Sequence, residues 1–518
     1  MNSIFPTQIF DVLILGQGLA GRIAALSAIE AGAGKVALVG LPSTASDWAQ
    51  GGIVYQGEGD PDKLREDLLE AGCKENFQPA VEMILKNGPL AVRKWLLENA
   101  KIPFDRVGGR ESELDLNLEA AHQSHRILHC KDSTGSAIMA GLGGLLNSER
   151  VKNKITFIDA VAVELLLSNR NDERQAKVFS ASRVCGAYCF SRAHNEVGSV
   201  VSKTTILATG GFSSLFLHST GPSTSRGDGI ALAHRAGART LGLEYVQFHP
   251  TALFLPNKPR KLLTEALRGE GAKLLNSKHE PFVDELAPRD RVSRAIHSEI
   301  MKSDLSHVWL DLTPIENLEN RFPAVCKLLS EQSLDPKKQL IPVVPAAHYT
   351  LGGVWTDLEG KTNLPGLYAC GEVACTGVHG ANRLASTSLL EALVWGESAG
   401  IHSAMESKNM GTHFDFIPRS WESESQKQDP ALLTQDWQLL RQTLWNYMGL
   451  VRTERRLRRA EKILVELRTE IESFYKKAEI SDELLGLRNG VLVATLTLYA
   501  ALRNRRSVGT HYLDLSES

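Results

Sequence analysis

Residues 286–296 read LAPRDRVSRAI. Pro288 falls near the first turn of a helix, where its missing N–H costs nothing. Apolar residues recur behind it at 292, 295 and 296. Helix N-termini carry partial positive charge and favour acids, so Arg289 and Arg291 work against that field. Two readings fit them: surface ion pairs with Asp290 and its neighbours, or a guanidinium aimed at an anionic ligand, whose two oxygens an arginine fork can bind together. Other reactive types lie far apart in the chain. His249 stands in QFHP, where Pro250 biases it toward extended backbone, and His348 stands in AAHYT. By itself each reads as a hydrogen-bonded core histidine. Thr264 and Glu265 open TEALRGEG and by themselves read as a helix cap. Glu119 in LNLEAAH reads as an exposed helix acid.

The elements that must position these groups are legible at the front of the chain. DVLIL at 11–15 is a strand candidate, GQGLAG follows at 16–21, and RIAALSAIEAGA has a helical pattern before a second strand candidate, KVALVG, at 35–40. This is the βαβ unit in which G-x-G-x-x-G turns strand into helix, and its backbone N–H groups approach a pyrophosphate. Gly16, Gln17, Gly18, Leu19, Ala20 and Gly21 are the candidate cradle. The second strand ends in VGLPST, without the acid that normally meets a ribose hydroxyl; Asp47 comes later, and its part in that contact stays open. Further apolar strands end in glycine at TTILATGG (204–211) and GLYACGEV (366–373), and STSLLEALVWGESAG (386–400) opens a helix with a Ser/Thr cap.

Size and composition bound the rest. A length of 518 residues implies two to four domains. A net charge of −2, from 58 basic and 60 acidic residues, implies no general attraction to nucleic acid or membranes. RTERRLRRAEK at 452–462 interleaves acids and reads as a solvated amphipathic helix rather than a nucleic-acid surface. No C-x-x-C pair occurs among the seven cysteines, so no metal site is expected. The odd cysteine count and MNSIFPTQIF, which lacks a basic region and an apolar core, point to a reducing cytoplasm. No apolar run reaches membrane-spanning length.

GQGLAG, WAQGGI (48–53), ATGG (208–211), QFHPTAL (247–253), LLTEALRGEGA (262–272), LAPRDRVSRAI, PAAHYTLGGV (345–354), GLYACGEV and HGANRLASTSLLE (379–391) occur in that order. Together they resemble the flavoprotein family of fumarate reductases, succinate dehydrogenases and L-aspartate oxidases, over nearly the whole chain. The resemblance implies an α/β fold: a doubly wound FAD-binding domain, an inserted α+β capping domain and a C-terminal helical bundle. The implied boundaries are 1–242 and 350–424 for the FAD-binding domain, 243–349 for the cap and 425–518 for the bundle. Members that tether FAD do so through a histidine just before AQGG or AEGG. Ala45 occupies that position in STASDWAQGG, so FAD is expected to be noncovalent. TEALRGEGA, HYTLGG, ASTSLLE and MGLVRTERRLRRAEKIL (448–464) are closest to the aspartate oxidase versions.

For the cofactor, the resemblance implicates Gly16 to Gly21 at the pyrophosphate and Ala45, Ser46, Asp47, Trp48, Ala49, Gln50, Gly51 and Gly52 along the flavin. It adds Asp228, Glu372 on the ribose side, and Ser388 with Leu389 at the isoalloxazine. The family's lysine after the second strand is absent, at about Gly40-Leu41, and the loop that follows is short. For the substrate, the resemblance makes His249 and His348 donors to a carboxylate and Thr264 and Glu265 contacts from the cap. It makes Arg383 a carboxylate clamp and sets Arg289 beside the reacting carbon. Glu119 matches the acid that faces the substrate ammonium in an Arg-Glu-Gly-Gly-His pattern. Leu118, Ala120 and Ala121 replace the arginine and both glycines, and alanine resists positive φ, so a different local loop is expected. The implied reaction oxidises L-aspartate with dioxygen or fumarate as acceptor, and the product is expected to pass to quinolinate synthase in NAD formation. A soluble fumarate reductase is the alternative; a non-catalytic FAD-binding partner is the third reading.

Overall fold

A computed structural model describes residues 5–55, 61–109, 113–119, 121–256, 258–411, 414–422, 424 and 426–516. Its largest sheet runs in the spatial order Ile155–Ile158, Val36–Val39, Phe10–Leu15, Glu196–Leu207, Val184–Ser191 and Val161–Leu167. The first four strands are parallel, and Leu367–Ala369 joins the end of Glu196–Leu207 in parallel. The last two strands return antiparallel. VLIL and VALV are apolar at every position because parallel strands are covered on both faces. Val12 and Ile14 face a core shared with helices Leu19–Glu30 and Ser388–Asn409, whereas Leu13 and Leu15 face a core that includes the C-terminal helices.

A second sheet of five antiparallel strands is built from residues 246–350, in the order Lys261–Leu262, Val246–Leu253, Ile341–Thr350, Val308–Asp311 and Lys273–Leu275. Helix Arg289–Lys302 covers it through Val292 and Ile296. Pro288 is the residue before that helix, with Arg289 as its first turn. The chain ends in three long helices, Pro430–Met448, Glu454–Tyr475 and Asp482–Arg503. Thr453 and Ser481 cap two of them by accepting from Arg456 N and Leu484 N. Glu454–Tyr475 buries one stripe, Leu457, Ala460, Leu464, Leu467 and Ile471. Asp482–Arg503 is long and apolar enough to cross a membrane, but 78% of its most apolar stretch is buried inside the protein.

One expected cap is corrected. Thr387 precedes helix Ser388–Asn409, but its hydroxyl donates backward to Leu384 O at 2.7 Å and accepts nothing from the first turn. The N–H groups of that turn are left for other acceptors. The helix also crosses Leu19–Glu30 almost backbone to backbone. A Cβ at Gly396 would lie 2.8 Å from Ala20 O, and one at Gly400 would lie 2.4 Å from Ala24 O. Both helices begin at the same cavity, so their spacing sets its width.

Gly400→Leu is therefore expected to force the helices apart, destabilising the fold by at least about 2 kcal/mol through overpacking. Loss of retained cofactor should accompany the drop in Tm. A variant that loses stability but retains its cofactor unchanged would show that the crossing does not govern the cavity.

Candidate active site

The strand ends of the large sheet open into a cavity of about 610 Å³ roofed by the five-stranded sheet. Gly16, Gly40, Ala208 to Gly210 and Cys370 to Glu372 follow four parallel strands and line it. Ligands of open α/β sheets lie at such carboxyl ends. Gly16 has φ +120, and a Cβ there would sit 2.1 Å from Ala208 O, so the turn admits only glycine. A Cβ at Gly21 would sit 2.0 Å from Gly16 O. Gly21 therefore serves helix–strand packing and does not line the cavity, unlike Gly16 to Ala20.

Residues 45–52 form the neighbouring wall, beginning with the 3₁₀ turn Ala45–Trp48. Ser46 Oγ accepts from Leu19 N at 3.1 Å and joins this wall to the glycine turn. Asp47 accepts from Thr44 N and Oγ, both at 2.8 Å, so its carboxylate caps its own loop. Glu372 accepts from Thr350 N and Oγ; burial pushes its carboxyl up to about 7 against those bonds. Asp228 lines the cavity while paired with Arg226 at 3.0 Å and Asn489 at 2.8 Å. Ser388 and Leu389 present the first turn of their helix to the same space. Glycines without room for Cβ and open helix N-termini fit a dinucleotide such as FAD. Among the described residues, the histidines lining the cavity are His249 and His348, and none lies between 45 and 52.

At the other end of the cavity Arg289 and Arg383 converge on Gln247. Its Oε1 accepts from Arg289 Nη1 at 3.2 Å and Arg383 Nη2 at 3.0 Å, while its Nε2 donates to Asn382 and Arg383 O. The partner of Arg289 is Glu265, at 2.5 Å, not Asp290, which pairs with Arg294. Burial alone would push the Glu265 carboxyl up, but the guanidinia of Arg289 and Arg268 bring it below the usual range. Burial lowers Arg383 to about 10, with Arg289 adding to the effect. Thr264, adjacent to Glu265, is buried against the same space.

The His249 and His348 rings lie 5.3 Å apart on neighbouring, hydrogen-bonded strands of the five-stranded sheet. Burial first, then the nearby cations, push both well below 6.5, so both are neutral at physiological pH. His249 Nδ1 accepts from Thr251 N at 3.3 Å, which places its proton on Nε2 as a donor. Thr220 Oγ lies 2.9 Å from His348 Nδ1. Glu119 lines the same cavity, with Ser386 Oγ donating to it at 2.7 Å. Burial, then Glu265, pushes the Glu119 carboxyl up. The loop after it takes the left-handed turn despite its alanine, with Ala121 at φ +64; Ala120 lies outside the described residues. Arg291 is exposed.

Gln247, Arg268 and Ser386 join this site without having been singled out as functional from the sequence. Gln247 sits in QFHP two residues from His249, a strand period that puts both on one face; that spacing was a usable signal. Nothing local distinguished Arg268 or Ser386.

The Glu372 carboxyl carries a pH consequence. Its folded value lies above the ordinary one of 4.5, so the folded state holds that proton more tightly and folding loses stability as pH rises from about 4.5 to 7. In ligand-free protein, Glu372→Gln should gain Tm relative to wild type across that window and hold a constant lead above it. A difference independent of pH would exclude Glu372 as the titrating group.

The model for the FAD binding domain matches residues 11–389. L-Aspartate oxidase 1 of Ralstonia nicotianae is 39% identical, covering 97% of this chain and 95% of that protein. The L-aspartate oxidase of Pseudomonas aeruginosa is also 39% identical, covering 97% and 94%. Among solved structures, a quinol fumarate reductase chain from E. coli is similar with a TM-score of 0.85 and 25% identity, covering 99% of this chain and 92% of that one. With these matches running through the glycine cradle, the paired arginines and the C-terminal helices alike, the chain belongs to the L-aspartate oxidase family of FAD-binding flavoproteins.

Proposed function

We propose that this protein oxidises L-aspartate to iminoaspartate with noncovalent FAD, the first step of NAD biosynthesis by the quinolinate branch. The carrying observation is the convergence of Arg289 and Arg383 on Gln247 with Glu119 in the same cavity. Two guanidinia suit two carboxylates, and a single acid suits the ammonium between them. We assign residues 243–349 as a cap over the site, 1–242 and 350–424 as the FAD-binding domain and 425–518 as the helical domain.

In this reading Arg383 and Arg289 bind the substrate carboxylates, assisted by His249, His348 and Thr264. Glu265 holds the Arg289 guanidinium in place. Neutral histidines donate hydrogen bonds without adding charge. When bound, FAD supplies the hydride acceptor and is reoxidised by dioxygen or fumarate. The substrate amine must be neutral for its lone pair to expel the hydride. Glu119, whose carboxyl is pushed up by burial, is the group we assign to accept that ammonium proton. During oxidation Arg289 serves as fixed charge, because a guanidinium has no acceptor for a carbon-bound proton. Fumarate reduction is a separate reaction: a hydride would add to one alkene carbon, and the carbanion-like neighbour needs a proton, for which Arg289 is the donor. We infer a cytoplasmic location and uptake of the short-lived imine by quinolinate synthase.

Anaerobic mixing with L-aspartate should bleach the flavin absorbance, and succinate should not. Bleaching by succinate alone would instead identify a dicarboxylate oxidoreductase, and a colourless purified protein a non-catalytic relative. Arg289→Lys should lower fumarate reduction by more than about 100-fold, the usual contribution of a placed acid. Aspartate oxidation by dioxygen should fall much less, and equal losses in the two half-reactions would remove the proton-donor role.

A further inference from the structure

Three chain segments meet at the Glu119 carboxylate. Ser386 Oγ donates to Oε2 at 2.7 Å. Gly51 lies against the other oxygen: a Cβ there would sit 3.2 Å from Glu119 Oε1 and 3.5 Å from Ser386 Oγ. The loop behind Glu119 closes on itself, with His122 N donating to Glu119 O at 3.2 Å. His122 Nε2 then lies 3.0 Å from Ala385 O, one residue before Ser386. Burial pushes that imidazole down to about 4, so the ring is neutral and the carbonyl accepts an N–H from it.

Ser386 makes its bond from an unfavourable backbone. Its φ is +55, in the left-handed region that glycine favours. Val54 N donates to its carbonyl at 3.1 Å and helps to hold it there. A glycine would occupy that turn with less strain, so the conformation alone does not account for a serine. What the serine adds is a hydroxyl within reach of a buried acid. One Glu119 oxygen is thereby anchored, and the carboxylate is fixed in the cavity that also holds Arg289 and Arg383.

We propose that Ser386 is a positioning residue that sets specificity, seating the Glu119 carboxylate so that the site prefers an aminodicarboxylate over a plain dicarboxylate of equal length. This rests on the reading of the enzyme as an aspartate oxidase. With one oxygen held, the carboxylate meets the substrate ammonium without first choosing a rotamer, so little ordering is left for the binding step. The hydroxyl also favours the charged form of Glu119 against the burial that opposes it. Glu265, Arg289 and Arg383 are the other charged groups acting on Glu119. A succinate molecule has no ammonium and takes nothing from this seat.

The test uses FAD-loaded enzyme and two variants, Ser386→Ala and Ser386→Gly. Both remove the hydroxyl, but only the glycine relieves the positive φ. Measured quantities are kcat and KM for L-aspartate across pH, the inhibition constant of succinate, and KM for fumarate in the reductive direction. Both variants should raise KM for aspartate about tenfold, the scale of one hydrogen bond to a charged group. kcat should change less, and the acid limb of kcat/KM should move to higher pH. Succinate inhibition should not weaken and the fumarate KM should not rise, since a plain dicarboxylate asks Glu119 for no negative charge. Wild-type aspartate kinetics in Ser386→Gly, with loss only in Ser386→Ala, would reduce Ser386 to a turn residue and overturn the proposal. So would equal weakening of aspartate and succinate. If the alanine variant does not fold, the glycine variant decides alone. Wild-type enzyme that aspartate does not reduce would instead overturn the aspartate-oxidase reading itself.

Discussion

Burial of three guanidinia in one small volume is the constraint on which this structure turns. Arg268, Arg289 and Arg383 all stand among groups screened from water, and Glu265 is the carboxylate that pairs with two of them. An unpaired buried charge destabilises by several kcal/mol, and a hydrogen bond to a charged group returns only about 1.5–3 kcal/mol. Gln247 reduces the imbalance by offering one carbonyl oxygen to two cations, and its amide is tied down by Asn382 and the Arg383 carbonyl. Among the described residues, Arg268 Nε and Arg383 Nε still have no hydrogen-bond partner. The residual positive field is what an anionic ligand meets, and the surrounding fold must be rigid enough to keep the arginines from turning away from it.

That rigidity comes from elements that share residues between layers. Strand register sets Gln247 opposite Tyr349 and His249 opposite Ala346. The Tyr349 ring lies 4.6 Å from the Arg383 guanidinium, and its hydroxyl donates to Glu391 at 2.6 Å. Glu391 also binds Thr376 and His379, and it belongs to the helix whose first turn faces the flavin cradle. Arg383 is thus steadied by an aromatic face that is itself fixed to the cofactor helix. The roof is tied at two further points. Asp132 accepts from Val325 N at the start of helix Pro323–Glu331, and Lys261 lies 4.5 Å from the Trp48 ring.

Much of the fold was legible because its signals are local. The βαβ unit needs only a run of apolar residues, glycines at fixed spacing and a helical pattern, and DVLIL-GQGLAG-RIAALSAIEAGA holds all three. The helix at Pro288 was legible for the same reason. The site was legible mainly through the resemblance, and its internal bonds were not. Arg289 pairs with an acid 24 positions away rather than the adjacent Asp290, and Ser386 meets an acid 267 positions away. No periodicity encodes such pairs, which depend on how two sheets and a long helix come together. Local rules also misled where tertiary contacts overrode them: Thr387 sits at a cap position yet bonds backward, and Ala121 takes the conformation that glycine favours.

Charge balance then explains why an acid belongs in a pocket built for anions. Arg268, Arg289 and Arg383 against Glu265 leave two positive charges, which a plain dicarboxylate cancels. Aspartate carries the same two carboxylates and one ammonium, so it cancels only one. In the proposed reading, ionised Glu119 supplies the other negative charge and leaves the aspartate complex neutral. With succinate bound, neutrality requires Glu119 to hold a proton, and burial already inclines it to do so. The histidines keep this balance from drifting, since His249 and His348 are held far below 6.5 and donate without charge. In the proposed reading, the protonation of this one carboxyl would adjust the same set of arginines to either kind of ligand. Its proton follows from which of them is bound.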